Sequence, residues 1–175
     1  LGLALDGTAH ERLLHPIALL ARWDRACPLT AVRAPLEMVS KHLLDSLAVA
    51  PFLFGESVLD LGTGAGLPGL PLAIIEPQQR FWLLDSNQKK LRFVRQAVLE
   101  LRLDNVETVH ARMETYRPGR NLSTIVSRAV AAADLLGAAH RDLLARPGRL
   151  LLMKGRDLDD LRRLLTYDDN TAGGL

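Results

Sequence analysis

Apolar positions in this chain follow two rhythms, and the change from one to the other divides it. From Glu11 to Arg25 the residues Leu13, Leu14, Ile17, Leu20 and Ala21 recur at three- and four-residue intervals, and Leu36 to Ala50 repeats the pattern through Val39, Leu43, Leu47 and Ala50. That spacing lines one face of a helix, so residues 1–54 are expected to form an N-terminal helical cap. Past residue 55 the apolar residues gather into short runs at 57–61, 81–85, 106–110, 123–127 and 149–153, with helical patterns near 68–76, 87–102 and 131–145. Strand and helix in alternation predict an α/β domain over residues 55–165, built on a doubly wound, mostly parallel sheet. Arg146-Pro147-Gly148 is expected to stop the last helix before the final strand. Residues 166–175 are polar, lack apolar alternation and are expected to form a disordered tail.

The densest chemistry lies in Ser57-Val58-Leu59-Asp60-Leu61-Gly62-Thr63-Gly64-Ala65-Gly66-Leu67-Pro68-Gly69, an apolar strand that runs into a glycine-rich turn and a helix start. Glycines take positive φ and let backbone approach a ligand, and Pro68 suits a first helical turn. The helix is predicted to begin near Leu67, with free N–H groups facing the crevice above the strand and favouring a carboxylate or phosphate there. Gly64-x-Gly66-x-x-Gly69 also fits the dinucleotide fingerprint, so the glycines alone leave the cofactor class open. Phe81-Trp82-Leu83-Leu84-Asp85 reads as a buried strand ending in an acid at the same crevice. Asp85 either accepts from two ribose hydroxyls or caps the helix starting near Asn87. Asp60, two residues before Gly62, would repel a pyrophosphate and hold an ammonium; otherwise it bonds backbone in the turn.

Asp60-x-Gly62-x-Gly64-x-Gly66 resembles the acid-plus-glycine pattern of S-adenosylmethionine-dependent methyltransferases. The strings Leu29-Thr30-Ala31-Val32-Arg33, Lys41-His42-Leu43-Leu44-Asp45-Ser46, Gly62 to Gly69, Leu83-Leu84-Asp85-Ser86, Lys89-Lys90-x-Arg92-Phe93 and Ser127-Arg128-Ala129 occur in order between Trp23 and Gly155. Together they resemble the glucose-inhibited division protein B family, bacterial methyltransferases acting on guanine N7 of 16S ribosomal RNA. The resemblance implies a Rossmann-like methyltransferase fold, S-adenosyl-L-methionine as cofactor, and small-subunit ribosomal RNA or a pre-ribosomal particle as partner. It assigns cofactor binding to Asp60, Gly62, Gly64, Leu67, Asp85, Met113, Glu114 and Arg128, with Gly62 and Leu67 against the methionine and ribose and Met113 and Glu114 at the adenine. Arg128 would hold the cofactor carboxylate or donate to guanine O6 while leaving N7 free.

Read without that resemblance, Met113 fills core, Glu114 is a surface acid, and Arg128 is an ion-pair partner. Arg33, Lys41, His42 and Lys154 are candidate RNA contacts, although His42 and Asp45, three apart on one helix face, also read as a structural pair. Pro28, Ser123 and Val130 stand where the family usually has asparagine, an acid and an aromatic, a departure that bears on the substrate side. The family also carries two strands beyond Leu165 that this sequence lacks. Without them the strand at 149–153 is expected to expose an unpaired edge, which would let an otherwise monomeric protein associate edge to edge.

With 175 residues and 48% hydrophobic content the chain can bury one good core. Its longest apolar run, Leu47 to Phe54, falls far short of the roughly 20 residues a membrane helix needs, and Leu1 to Leu5 lacks the basic flank and cleavage site of an export signal. A single cysteine, Cys27, fits a reducing cytoplasm, the expected location. Net charge is only +2, but Arg112, Arg117, Arg120, Arg128, Arg146, Arg149, Lys154 and Arg156 are expected near strand ends and loops, as a phosphate-facing rim or simply a solvated surface. The five histidines and one cysteine show no ligand spacing, so no metal is expected.

Guanine N7 has a free lone pair, so attack on a sulfonium methyl requires alignment and exclusion of water rather than a general base. The sequence fits that chemistry. It lacks both the Asn/Asp-Pro-Pro-aromatic motif of exocyclic-amine methyltransferases and the cysteine pair of cytosine-C5 enzymes. Two rivals use the same residues: a nicotinamide-dependent oxidoreductase, through the glycines, and a catalytically silent RNA-binding assembly factor, through the basic surface.

Overall fold

A computed structural model describes residues 7–24, 43–128 and 143–153. Helix α1 spans Gly7–Asp24, and a single helical turn at Asp45–Leu47 leads through a 3-10 turn at Ala50–Phe52 into strand β1, Ser57–Leu61. Then follow α2 (Gly69–Ile75), β2 (Arg80–Asp85), α3 (Gln88–Leu101), β3 (Val106–His110), β4 (Leu122–Ser127) and β5 (Leu144–Leu152). The five strands form one sheet in the order β3-β2-β1-β4-β5, with every neighbouring pair parallel. The chain therefore leaves β1 in one direction to build β2 and β3 and later returns to the other side of β1 for β4. The carboxyl ends of β1 and β4 flank that reversal, where open α/β sheets place their ligands.

Apolar runs rather than alternation mark the central strands because both faces of a parallel sheet are covered. Val58, Phe81, Leu83 and Val126 point to one face and Leu59, Leu61, Leu84 and Ile125 to the other, all at most 2% exposed. Each such Leu, Val or Phe contributes about 1.5–3 kcal/mol relative to exposure. The first face packs against Leu70 and Leu72 of α2, Phe93, Val94 and Ala97 of α3, and Leu13, Ile17 and Leu20 of α1. Helix α1 thus lies over α2 and α3 on that face. Leu14, expected on its apolar side, is 41% exposed, and the buried residues are Leu13, Pro16, Ile17, Leu19 and Leu20.

The expected helix at 131–145 overlaps the last strand, which begins at Leu144 rather than 149. Leu122 pairs with Leu144 and Thr124 with Arg149, so extra residues on β5 are absorbed in a bulge that holds Pro147 and Gly148. A proline without N–H belongs at such an irregularity. Most of the expected second cap helix (36–42), residues 131–142, and the tail lie outside the described residues.

Candidate active site

The turn between β1 and α2 is built by three glycines in the left-handed region: Gly62 at φ 72°, Gly64 at 60° and Gly66 at 79°. That conformation costs other residues about 1–2 kcal/mol. Gly62 and Thr63 both donate their N–H to the Leu84 carbonyl at 2.9 Å, which fastens the turn to the end of β2. A Cβ at Gly66 would strike Leu70, whereas one at Gly64 would meet only the Gly62 carbonyl, at 3.9 Å, and otherwise project into open space. Gly64 is therefore where the turn faces the crevice.

Asp60 lies beneath this turn, 1% exposed. Its Oδ2 accepts from the Thr63 hydroxyl at 2.6 Å and from the Gly69 N–H at 2.8 Å, and a Cβ on Gly69 would come within 2.7 Å of that oxygen. Oδ1 is buried and has no hydrogen-bond partner. Burial raises the carboxyl to about 6, against the opposing pull of Thr63, Gly69 and the Arg128 guanidinium. A half-satisfied, desolvated carboxylate calls for a cationic donor.

Helix α2 starts at Gly69, two residues later than expected, with Pro68 at its N-cap. Its first N–H does not face the crevice, because Asp60 has taken it. The expectation that this helix end favours an anion is thereby corrected: the amide that would meet a pyrophosphate already faces a carboxylate.

Asp85 ends β2 and is 8% exposed. Its Oδ2 accepts from the Gly64 N–H at 2.8 Å and Oδ1 from the Asn87 N–H at 2.7 Å, so it joins the glycine turn to the start of α3. The helix cap itself is Asn87, whose side chain accepts from the N–H groups of Lys89 and Lys90. Asp85 is not the cap. Each of its oxygens, having accepted one backbone bond, retains a lone pair for a ligand hydroxyl.

Arg128 follows β4 directly. Burial lowers its pKa while the nearby carboxylates of Asp60 and Asp45 oppose the shift. Beside it the buried Ser127 hydroxyl donates to the Leu61 carbonyl at 2.8 Å, closing the switch point between β4 and β1. Ser127 and Thr63 lie inside the matched strings but receive no role from them, and Asn87 lies outside those strings; all three are positioning residues. Asn87 alone has a local signal, an Asx residue before a helical pattern.

Met113 and Glu114 occupy a 3-10 turn after β3, on the same carboxyl edge as Asp85; Glu114 is exposed, and Met113 is half-buried against the Leu59–Leu61–Leu84 cluster. The Leu67 side chain is 3% exposed within the core, so only its backbone belongs to the turn. Arg33, Lys41, His42 and Lys154 lie outside the described residues, as does the pairing of His42 with Asp45.

Among the described residues the basic side chains do not form one rim, and Lys154 and Arg156 lie outside them. Arg112 and Arg128 are at the carboxyl edge, but Arg120 lies 5.6 Å over the Trp82 ring ahead of β4, and Arg149 lies 5.2 Å over Phe54 ahead of β1 while donating to the Phe52 carbonyl. Ser123 is also at the amino edge, exchanging hydrogen bonds with Ser57, so that departure from the family pattern is remote from the crevice. Among the described residues no group of His, Cys, Asp and Glu could hold a metal ion, and no helix is long and apolar enough to cross a membrane.

A parallel sheet whose glycine turn covers a buried acid and whose second strand ends in another fits the S-adenosylmethionine-dependent methyltransferases. Solved structures agree on the fold. Coclaurine N-methyltransferase bound to S-adenosylhomocysteine superposes with a TM-score of 0.57 at 22% identity, over 70% of this chain and 36% of that one. A SAM-dependent methyltransferase from Aquifex aeolicus gives 0.54 at 18% identity, over 69% and 70%. Within that class, the family model for rRNA small subunit methyltransferase G (GidB) matches residues 9–166, and the chain belongs to that family. Proteins named ribosomal RNA small subunit methyltransferase G from Chromohalobacter salexigens and Methylococcus capsulatus are 54% and 49% identical to it, over 90% and 89% of this chain and 75% and 76% of theirs.

Proposed function

We propose that the protein transfers the methyl group of S-adenosylmethionine to guanine N7 in small-subunit (16S) ribosomal RNA, in the cytoplasm and as a monomer. The observation that carries the cofactor assignment is Asp60: a buried carboxylate with one unpartnered oxygen beneath a glycine turn whose crevice-facing position is open. Asp60 would hold the methionine ammonium, Asp85 the ribose hydroxyls, and Met113 and Glu114 the adenine edge. Gly64 lets the backbone approach without a side chain in the way. Bound there, the cofactor supplies an electrophilic methyl on a sulfonium. Arg128 orients either its carboxylate or guanine O6, and no residue need remove a proton because N7 attacks through its lone pair. Family membership supports the RNA substrate. The nicotinamide alternative loses ground because a dinucleotide pyrophosphate relies on the helix amides, and here Asp60 occupies the first of them.

The test is transfer of labelled methyl from S-adenosylmethionine to small-subunit ribosomal RNA, with the product located by strand cleavage selective for N7-methylguanine. Label at one guanine is expected. Cofactor binding without methyl incorporation would favour the silent assembly factor, and calorimetric binding of NAD in preference to S-adenosylhomocysteine would favour the oxidoreductase.

A further inference from the structure

At the amino edge of the sheet, on the far side from the glycine turn, the α2–β2 and α3–β3 connections and the start of α1 surround a cleft of about 370 Å³. Its walls bring together Arg12 of α1, Arg80 at the first position of β2, and Arg102 just past α3, with Asp104 and Asn105 beside them. The three arginines are widely separated in sequence and exposed. Among the described residues none has a carboxylate within 4.0 Å; the ion pairs nearby join His15 and Arg22 to Glu100 instead.

Hydrogen bonds cross-tie the floor of the cleft. Asn105 donates its side-chain amide to the carbonyls of Ala73, Glu76 and Gln79, tying the two connections together. Arg12 donates to the Leu101 carbonyl at 3.3 Å, which fixes its guanidinium over the end of α3. Arg102 holds φ 50°, which turns the chain at the helix end. Three guanidiniums against the one carboxylate of Asp104 leave the cleft with a positive excess, which raises the local concentration of anions, and their planar forks match phosphate oxygens.

We propose that this cleft binds the phosphate backbone of the RNA substrate, as a second anchoring site remote from the methyl-transfer centre. The proposal rests on the RNA reading above. From Arg80 to Asp85 the strand rises about 17 Å, so one RNA backbone would be gripped at both edges of the sheet. An RNA duplex or folded loop spans that distance easily, whereas a mononucleotide would reach only one edge.

The test uses the whole chain with Arg12→Gln, Arg80→Gln and Arg102→Gln combined, measuring affinity for a small-subunit ribosomal RNA transcript across a salt series. Each lost phosphate contact lowers the slope of log affinity against log salt by roughly 0.7–0.9, so the triple variant should show a slope smaller by about two and bind at least tenfold more weakly at low salt. Binding of S-adenosylhomocysteine should be unchanged, which also shows that the variant folds. Equal RNA affinity and equal slope in a variant that binds S-adenosylhomocysteine normally would overturn the proposal and leave the methyltransferase reading intact. If the wild-type chain transfers no methyl yet loses RNA affinity with these substitutions, the cleft stands and the catalytic reading fails. A wild-type chain that binds no RNA, or binds polyglutamate as tightly through the same arginines, overturns it as well.

Discussion

Replacing Asp60 by asparagine should separate stability from cofactor binding, because the group that the site needs is one that folding penalises. The carboxyl titrates near 6 in the folded protein against a usual 3.8, chiefly through burial. Between those values the folded state holds a proton that the unfolded state has released, so stability falls as pH rises through that window. Above pH 6 a penalty of about 3 kcal/mol remains, from roughly 2.2 units at 1.36 kcal/mol each. The asparagine side chain would keep an oxygen for Thr63 and Gly69, while its amide would occupy the position of the unpartnered Oδ1 and leave a buried donor unsatisfied, at a cost of about 1–3 kcal/mol. That cost is nearly independent of pH. The stability of Asp60→Asn relative to wild type should therefore rise by about 3 kcal/mol between pH 3 and pH 8, or some 6–12 °C in relative melting temperature. Thermal unfolding of both proteins across that range gives the difference directly. Calorimetry at pH 8 should at the same time show S-adenosylhomocysteine binding weakened at least tenfold by loss of the charged partner. A stability difference that stays flat with pH would mean that Asp60 is solvated or paired in the folded protein, and undiminished affinity would remove it from the cofactor site.

Gly64→Val should abolish S-adenosylhomocysteine binding, since a β-branched residue is strained at φ 60° and its side chain enters the open crevice; full binding in calorimetry would refute the turn as the site. Asp85→Ala should weaken the same ligand by about 1.5–3 kcal/mol and lower stability modestly through the lost bonds to Gly64 and Asn87, with unchanged affinity in a folded variant reducing Asp85 to a brace. Arg128→Lys keeps the charge near Asp60 and Asp45 but loses the planar fork; methyl transfer should fall far more than melting temperature, and the reverse order would make Arg128 structural.

Much of the fold is legible in the sequence because a parallel sheet buried on both faces writes itself as apolar runs. β1 and β3 fall at their expected positions, and β2 and β4 start one residue earlier. β5 departs from expectation for a physical reason. Leu143 and Leu144 fit an amphipathic helix as well as a strand end, and Arg146-Pro147-Gly148, which punctuates a helix, here makes a bulge in a strand whose pairing with Leu122 is non-local. The start of α2 departs similarly: Leu67 reads as a first helical residue, but the Gly66 turn and the bond between Gly69 and Asp60 delay the helix to Gly69.

The candidate site divides along the same line. The glycines and Asp60 sit within one continuous motif and Asp85 ends the next apolar run, so local spacing carries them, and the unpartnered oxygen of Asp60 then follows from a geometry that places both its backbone and its hydroxyl donor on Oδ2. The arginine cleft has no such signature. Arg12, Arg80 and Arg102 stand far apart in sequence, in a helix, at a strand start and beyond a helix end, and become one surface only because the α2–β2 and α3–β3 connections close beneath α1. Charge counting along the chain points instead to Arg120 and Arg149, which are partly engaged on Trp82 and Phe54. A guanidinium stacked on a ring and bonded to a carbonyl, as Arg149 is, has less to offer a phosphate than one with no carboxylate in reach. Substituting Arg149 should consequently change RNA affinity less than substituting Arg80, an ordering that sequence density alone would reverse.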